Sequence, residues 1–310
     1  MQRCKPLWRF TAAGSRAIVA LLALGAATAL PRRAGACATC ACGDPTLTVM
    51  GAQQPFAQRV RLSLEAQYRT DTIGRAGFDR IELNEQRTTL SAAYAPEAWL
   101  MVSASMPMIR RELTNANLAR DVLVTPGDLE LRARAFVLRD RAFAPRHLLA
   151  LVGGARLPTA PLERDAKGRY RAPELQPGSG SFDPLGGVSY SLFAAPWSAY
   201  VSQVAYVPTQ GPADFRIGAS LRGTHALQYQ FGTSIALRFS LEYRLEARAR
   251  RAGGVEPDSG GFIAFASPSI VWSPWLDLVL DVDVHVPIWN ALYGAHEEGV
   301  FAVLGAAYDL

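Results

Sequence analysis

The chain has 310 residues, of which 49% are hydrophobic, 19% charged and 9% aromatic, with 26 Gly and 20 Pro. That composition excludes a disordered chain, a collagen and a coiled coil, and the length allows one large domain or two small ones. The formal charge of +5 is concentrated at the start: residues 1–36 hold Arg3, Lys5, Arg9, Arg16, Arg32 and Arg33 and no acid, and without them 26 basic residues face 27 acidic ones. Such a near-neutral remainder has no net charge to drive phosphate binding, so no nucleic-acid partner is expected.

The first basic stretch ends at Arg16, and Ala17 to Leu30 runs 14 residues without a charge. A membrane-spanning helix takes about 20. Ala34-Gly35-Ala36 then supplies the small residues that a signal peptidase requires. Residues 1–36 therefore read as a secretory signal peptide, with a short membrane anchor as the alternative. Cleavage would leave Cys37 first. Cys37, Cys40 and Cys42 have the spacing C-x-x-C-x-C, which puts three sulfurs within reach of one soft ion such as Cu or Zn. An oxidising compartment offers a second reading, one disulfide with a thiol left over. A third is lipidation of Cys37, although Ala34 stands where lipoprotein signals usually carry Leu. Residues 37–56 form a Cys-containing segment, either periplasmic or folded into a lumen as a plug.

From residue 57 the pattern has period two. Val60, Leu62, Leu64, Ala66 and Tyr68 alternate with Arg61, Ser63, Glu65, Gln67 and Arg69. Leu237, Phe239, Leu241, Tyr243 and Leu245 alternate with Arg238, Ser240, Glu242 and Arg244, and Leu278 to Val286 carry Asp281, Asp283 and His285 on the other parity. Alternation of this kind puts one set on each face of a sheet. The runs reach about 10 residues, against about 5–6 in a globular strand and about 9–11 in a strand crossing a bilayer. The polar face carries many charges, as a water-filled lumen does, while the apolar face suits lipid. Only closure lets such strands cross lipid, because an open edge leaves backbone groups unpaired.

Short links near 95–98, 141–146, 194–198, 230–232 and 273–275 alternate with longer polar ones near 71–79, 110–126, 158–180, 209–214, 251–261 and 288–299. That alternation marks an outer-membrane barrel with short periplasmic turns and long outer loops. Trp99, Trp197, Trp272, Trp275, Tyr94, Tyr229 and Phe231 flank the short links, as a girdle at the headgroup level would. The fold class is therefore all-β. The predicted barrel is antiparallel, up-and-down and transmembrane, with about 12 strands over residues 57–310: 58–70, 80–94, 99–110, 127–139, 147–157, 181–193, 199–208, 214–228, 233–248, 262–272, 276–287 and 300–310. The expected location is a bacterial outer membrane, and the expected partners are its lipid, the barrel-assembly machinery and a small-molecule solute. The final strand ends on Leu310, with Tyr308 supplying the aromatic residue near the end that such barrels commonly carry.

Gly154-Ala155-Arg156-Leu157-Pro158-Thr159 closes one strand and Gly178-Ser179-Gly180-Ser181-Phe182-Asp183 opens the next. The first resembles the Gly-x-basic-x-Pro-Thr segment of outer-membrane transporters associated with meta-cleavage phenol degradation. The second resembles the Gly-rich Gly-Thr/Ser-Gly-x-x-Asp segment of the same family, and the resemblance covers about residues 57–310. Ala160 stands where the family often has Gly after the Pro-Thr pair. The resemblance implies a barrel that moves small, often apolar or aromatic compounds.

With the polar face inward, the lumen is expected to carry Arg61, Arg69, Arg132, Arg134, Arg156, Arg216, Arg222, Arg238 and Arg244 against Glu65, Asp183, Glu242, Asp277, Asp281, Asp283 and His285. Two readings follow. Opposing charged walls would select among solutes, with a weak preference for anions. Alternatively the charges neutralise one another across adjacent strands and fill a narrow barrel. The loop 158–180 either stands in solvent or folds into the mouth. The expected function is passive passage of small solutes. A metal-handling or structural role resting on the cysteines is the alternative. An enzyme is the least favoured class, because His147, His225, His285 and His296 are not accompanied by a serine-centred hydrolase segment, a P-loop or a dinucleotide fingerprint. His285 lies among acids on one face and would be the residue whose loss abolishes turnover in an enzyme.

Overall fold

The computed structural model describes residues 57–73, 80–114, 117–141, 144–164, 168, 176–256, 259–294 and 296–310. The expected signal peptide and the cysteine segment lie outside these residues. Twelve strands make the wall: β1 (Val60–Ile73), β2 (Ile81–Glu97), β3 (Leu100–Thr114), β4 (Leu129–Arg139), β5 (His147–Leu157), β6 (Asp183–Ala194), β7 (Trp197–Tyr206), β8 (Ser220–Phe231), β9 (Ile235–Glu246), β10 (Gly261–Trp275), β11 (Leu278–Leu292) and β12 (Phe301–Asp309). Each pairs antiparallel with its sequence neighbour, and β1 pairs with both β2 and β12, which closes the barrel. Closure leaves no edge whose amide and carbonyl groups would face lipid unpaired, at several kcal/mol each.

The seam joins the two ends of the described chain. Leu310 N donates to Val60 O at 2.8 Å, and Arg61 pairs directly across the ladder with Asp309 through a two-pronged contact to its carboxylate. Side chains then follow the pleat. Leu62, Leu64, Leu90, Leu237, Phe239, Val282, Val284 and Leu304 point outward and are exposed, whereas Arg61, Ser63, Glu85, Ser91, Arg238, Ser240, Asp281 and Asp283 point inward and are buried. Trp99, Trp197, Trp272 and Trp275 stand exposed by the short turns, where Trp197 meets Tyr229 edge-on at 4.8 Å and Tyr229 meets Phe231 at 4.6 Å. Indole and phenol rings settle at the headgroup level, so this ring marks the short-turn boundary of the apolar belt.

Most strand ends fall within four residues of the expected ones, and three differences are larger or add a strand. The segment Arg120–Pro126, expected as loop, forms a strand that pairs with the upper part of β3. β11 continues to Leu292, five residues past its expected end at 287, with a register shift against β10 beside Phe265. β8 begins at Ser220 rather than at 214, because the β8–β9 ladder breaks there and resumes as a separate three-stranded patch of Phe215–Arg216, Arg250–Arg251 and Gly254–Val255. β2 alternates poorly, with Asn84 to Thr89 polar at every position, and its length explains why. Its 17 residues span about 55 Å at roughly 3.3 Å each, well beyond a hydrocarbon core of about 30 Å. Its loop-side end meets water on the outside and polar lumen on the inside.

Candidate functional site: a charged basin in the lumen

The upper half of the lumen holds a cavity of about 690 Å³ whose wall is rich in arginine and carboxylate. Most of these charges reach one another because register places them side by side. Residues directly opposite on neighbouring strands bring their Cβ atoms about 4.5–5.5 Å apart, and opposite charges there stabilise the pair. Glu85 of β2 faces Arg111 of β3 and accepts from its Nε at 2.5 Å, and Arg87 approaches the same carboxylate at 2.9 Å. Glu130, Arg156 and Asp183 are consecutive rungs of β4, β5 and β6, and Arg156 lies 3.7 Å from Glu130 and 3.6 Å from Asp183. Arg69 lies 2.8 Å from Asp71 and 3.8 Å from Glu298, two acids that face each other across the ladder, while Arg244 also pairs with Glu298.

One ring sits among the arginines. Tyr206 of β7 is buried, and its hydroxyl accepts from Arg132 Nη2 at 2.6 Å. The guanidinium of Arg222 lies 4.5 Å from the ring centroid and that of Arg156 lies 5.1 Å from it. Arg132 also donates to Glu130 at 2.5 Å. Its opposite number on β5 is Gly154, where a Cβ would come 2.1 Å from Leu131 O. No side chain fits there, and the wall opposite Arg132 is bare.

Lower on the same wall, Arg238 stands between Asp281 at 3.4 Å and Asp283 at 2.9 Å, with all three side chains buried. It reaches across β10 over Ser269, the residue between it and Asp283 in the register. His285 stacks on Phe301 with ring centroids 4.2 Å apart. Its Nδ1 meets Ser267 Oγ at 2.8 Å and Glu242 at 3.6 Å. A hydrolytic relay needs the nucleophile and the orienting acid on opposite ring nitrogens; here both meet the same one. His147 lies at the short-turn end against Tyr190 and His225 on the outer face beside Gln203.

The mouth is narrowed by the long loop. Gln176, Pro177, Gly178 and Ser179 line the cavity, and Arg111 donates to Gln176 O at 2.6 Å. The buried carboxylate of Asp128 accepts from Ser179 N at 2.6 Å, Ser179 Oγ at 3.1 Å and Ala160 N at 3.1 Å. Gly178 permits this, since a Cβ there would lie 2.3 Å from Asp128 Oδ1. Asp128 thus ties Ser179, in the second glycine-bearing segment, to Ala160, the residue after the first, and Arg156 and Asp183, one from each segment, form an ion pair beneath them.

Of the residues expected in the lumen, Arg132, Arg134, Arg156, Arg222, Arg244 and Glu242 line the basin. Arg238, Asp281, Asp283 and His285 lie on the inner wall, and Asp183 is buried against Arg156. Two are elsewhere. Asp277 sits in the short turn before β11 and pairs with Arg59 at 2.9 Å, both side chains being about 40% exposed; the alternation of β11 runs into a residue that precedes its first rung. Arg216 belongs to the patch beyond the wall, exposed, with Nε donating to Pro208 O at 2.9 Å. Cys37, Cys40 and Cys42, the expected Cu or Zn ligands, lie outside the described residues. Glu85, Arg87, Arg111, Asp128, Glu130, Tyr206 and Glu298 were not singled out by pattern. The only signal for Glu130 was its parity with Arg132 and Arg134. Tyr206 gave none, because both parities of β7 are largely apolar or small.

No protein-family model and no curated protein matches the chain. Among solved structures it is similar to an outer membrane channel from Pseudomonas putida F1, with 13% identity and a TM-score of 0.64 over 82% of this chain and 96% of that one. It is also similar to the NanC porin, at 7% identity and TM-score 0.47 over 80% and 100% of the two chains. A third is the CymD monoaromatic hydrocarbon channel, at 10%, 0.43, 82% and 88%. The first likeness establishes the fold. This is an outer-membrane β-barrel. Its apolar belt and aromatic girdle fit the same membrane.

Proposed function

We propose that the barrel is a passive channel for small solutes across the outer membrane, without enzymatic turnover. The observation that carries this reading is the basin: a closed wall, apolar outside, encloses about 690 Å³ lined by charged and polar side chains. A barrel of about eight strands is just wide enough for side chains to fill, and the twelve strands here leave this space open. The resemblance to transporters associated with phenol degradation supports small aromatic compounds among the solutes. Phe265 and Phe301 on the cavity wall give such compounds an apolar surface. The test is electrical. The chain extracted from outer membranes and inserted in a planar bilayer is expected to give discrete conductance steps, and proteoliposomes containing it to swell in small solutes. A folded barrel that shows neither would overturn the reading.

A further inference from the structure

Arg222 differs from the ion-paired arginines around it. Its rung neighbours are Val204 on β7 and Arg244 on β9, and Arg244 is already held by Glu298 and Glu246. Among the described residues no carboxylate lies within ion-pair distance of Arg222. Its contact is the face of Tyr206, and its side chain is open to the lumen. Like charges directly opposite each other destabilise a ladder; the acids that offset this pair are in contact with Arg244, and Glu130 acts on Arg222 only at longer range. Around the Tyr206 ring stand three guanidiniums, of Arg132, Arg156 and Arg222, and two carboxylates, of Glu130 and Asp183. Within this group the guanidiniums outnumber the carboxylates by one and Arg222 is the accessible one, whereas the neighbouring group of Arg69, Arg244, Asp71, Glu246 and Glu298 holds its arginines in ion pairs.

A planar guanidinium fork matches a carboxylate with two parallel hydrogen bonds, and stacking on an aromatic face holds the fork in place. A single accessible guanidinium suits a monoanion; a dianion would bring its second charge against Glu130, which also lines the basin. The geometry points to an anion station in the lumen: Arg222, backed by Tyr206 and flanked by Arg132 and Arg156, takes the carboxylate of a small organic monoacid in passage. This rests on the channel reading above and names the class of solute the basin favours.

The test uses the full barrel extracted from outer membranes, with benzoate as probe and benzamide as its uncharged counterpart. Benzoate is expected to reduce the chloride current in a saturable manner, and benzamide is not. Arg222→Gln is expected to raise the half-saturating benzoate concentration about tenfold, the usual scale for losing one charge-assisted contact. Arg222→Lys, which keeps the charge and loses the fork, should recover only part of the effect. Arg216→Gln, beyond the wall, should change nothing. Calorimetric titration of the same barrels with benzoate in detergent reads the station even if no current flows, so a failed channel and a failed station are told apart. Equal responses to benzoate and benzamide, or an unchanged response in Arg222→Gln, would overturn the station. So would inorganic phosphate displacing benzoate at equal concentration, since it would remove the preference for a monocarboxylate.

Discussion

Near the short turns the inner wall carries Arg238 clasped by Asp281 and Asp283; near the long loops it carries Arg222 resting on Tyr206, in no ion pair among the described residues. Both are arginines on inward positions of neighbouring strands, Arg238 three residues past the short-turn end of β9 and Arg222 two past the loop end of β8, and sequence pattern treats them alike. Their surroundings separate them. The Arg238 cluster is desolvated on every side, so its charges are committed to one another and to the wall. Arg222 faces the open basin and, held in no ion pair among the described residues, is the arginine that the proposed station uses. A charged inner wall is therefore not in itself a selectivity device. What matters is whether a charge is already answered within the ladder.

The largest effect is expected from breaking the lower cluster. Arg238→Ala leaves two carboxylates buried without their cation, a loss of about 3–5 kcal/mol when one partner of a buried pair is removed. Urea unfolding of the barrel in vesicles should show that drop while the benzoate response of any folded fraction stays intact. Next comes the tie across the mouth. Asp128→Ala removes three hydrogen bonds and leaves the amides of Ser179 and Ala160 unanswered, at about 1–3 kcal/mol for each group that stays buried. Single-channel conductance should rise as 176–179 leaves the basin, and a protease should cut the loop sooner. Arg222→Gln should be nearly silent in stability, within about 0.5 kcal/mol of the parent, although it removes the station. A large loss there would place Arg222 with Arg238 as a structural charge and dissolve the contrast.

The smallest effect lies at a short turn, outside the basin altogether. Asp140 Oδ1 accepts from His147 N at 3.0 Å and Arg146 N at 2.8 Å. These hydrogen bonds, that from His147 foremost, hold its carboxyl below the ordinary aspartate range. A lowered value in the folded state means that the contribution is fully present above the ordinary range and fades as pH falls through the lowered one. Hydrogen exchange at His147 and Arg146 should therefore quicken beyond its intrinsic trend at acid pH. In Asp140→Ala it should be faster at all pH values, with no such step.

Much of the architecture was legible from residue order. Twelve strands, closure, the inward parity of Arg61, Arg132, Arg238 and Asp281, and the short links with their tryptophans all follow from a period of two and from the residues that turns and headgroups favour. These are local properties, set by covalent geometry and side-chain polarity within a few residues. The departures also have local causes: β2 loses its alternation where it rises out of the lipid belt, and Arg216 keeps the parity of β8 after the wall has ended.

The pairing of charges was beyond the pattern. Arg61 finds Asp309 at a separation of 248 residues, Arg132 finds Tyr206 at 74, and Ser179 finds Asp128 at 51. Periodicity shows which face a side chain occupies; closure and register across distant strands set its height in the barrel and its neighbours. For that reason both readings of the lumen, neutralised wall and selective one, fit the sequence equally well. Folding assigns the first to Arg238 and leaves Arg222 available for the second, because a charge is answered only by what register brings to the same rung or the next.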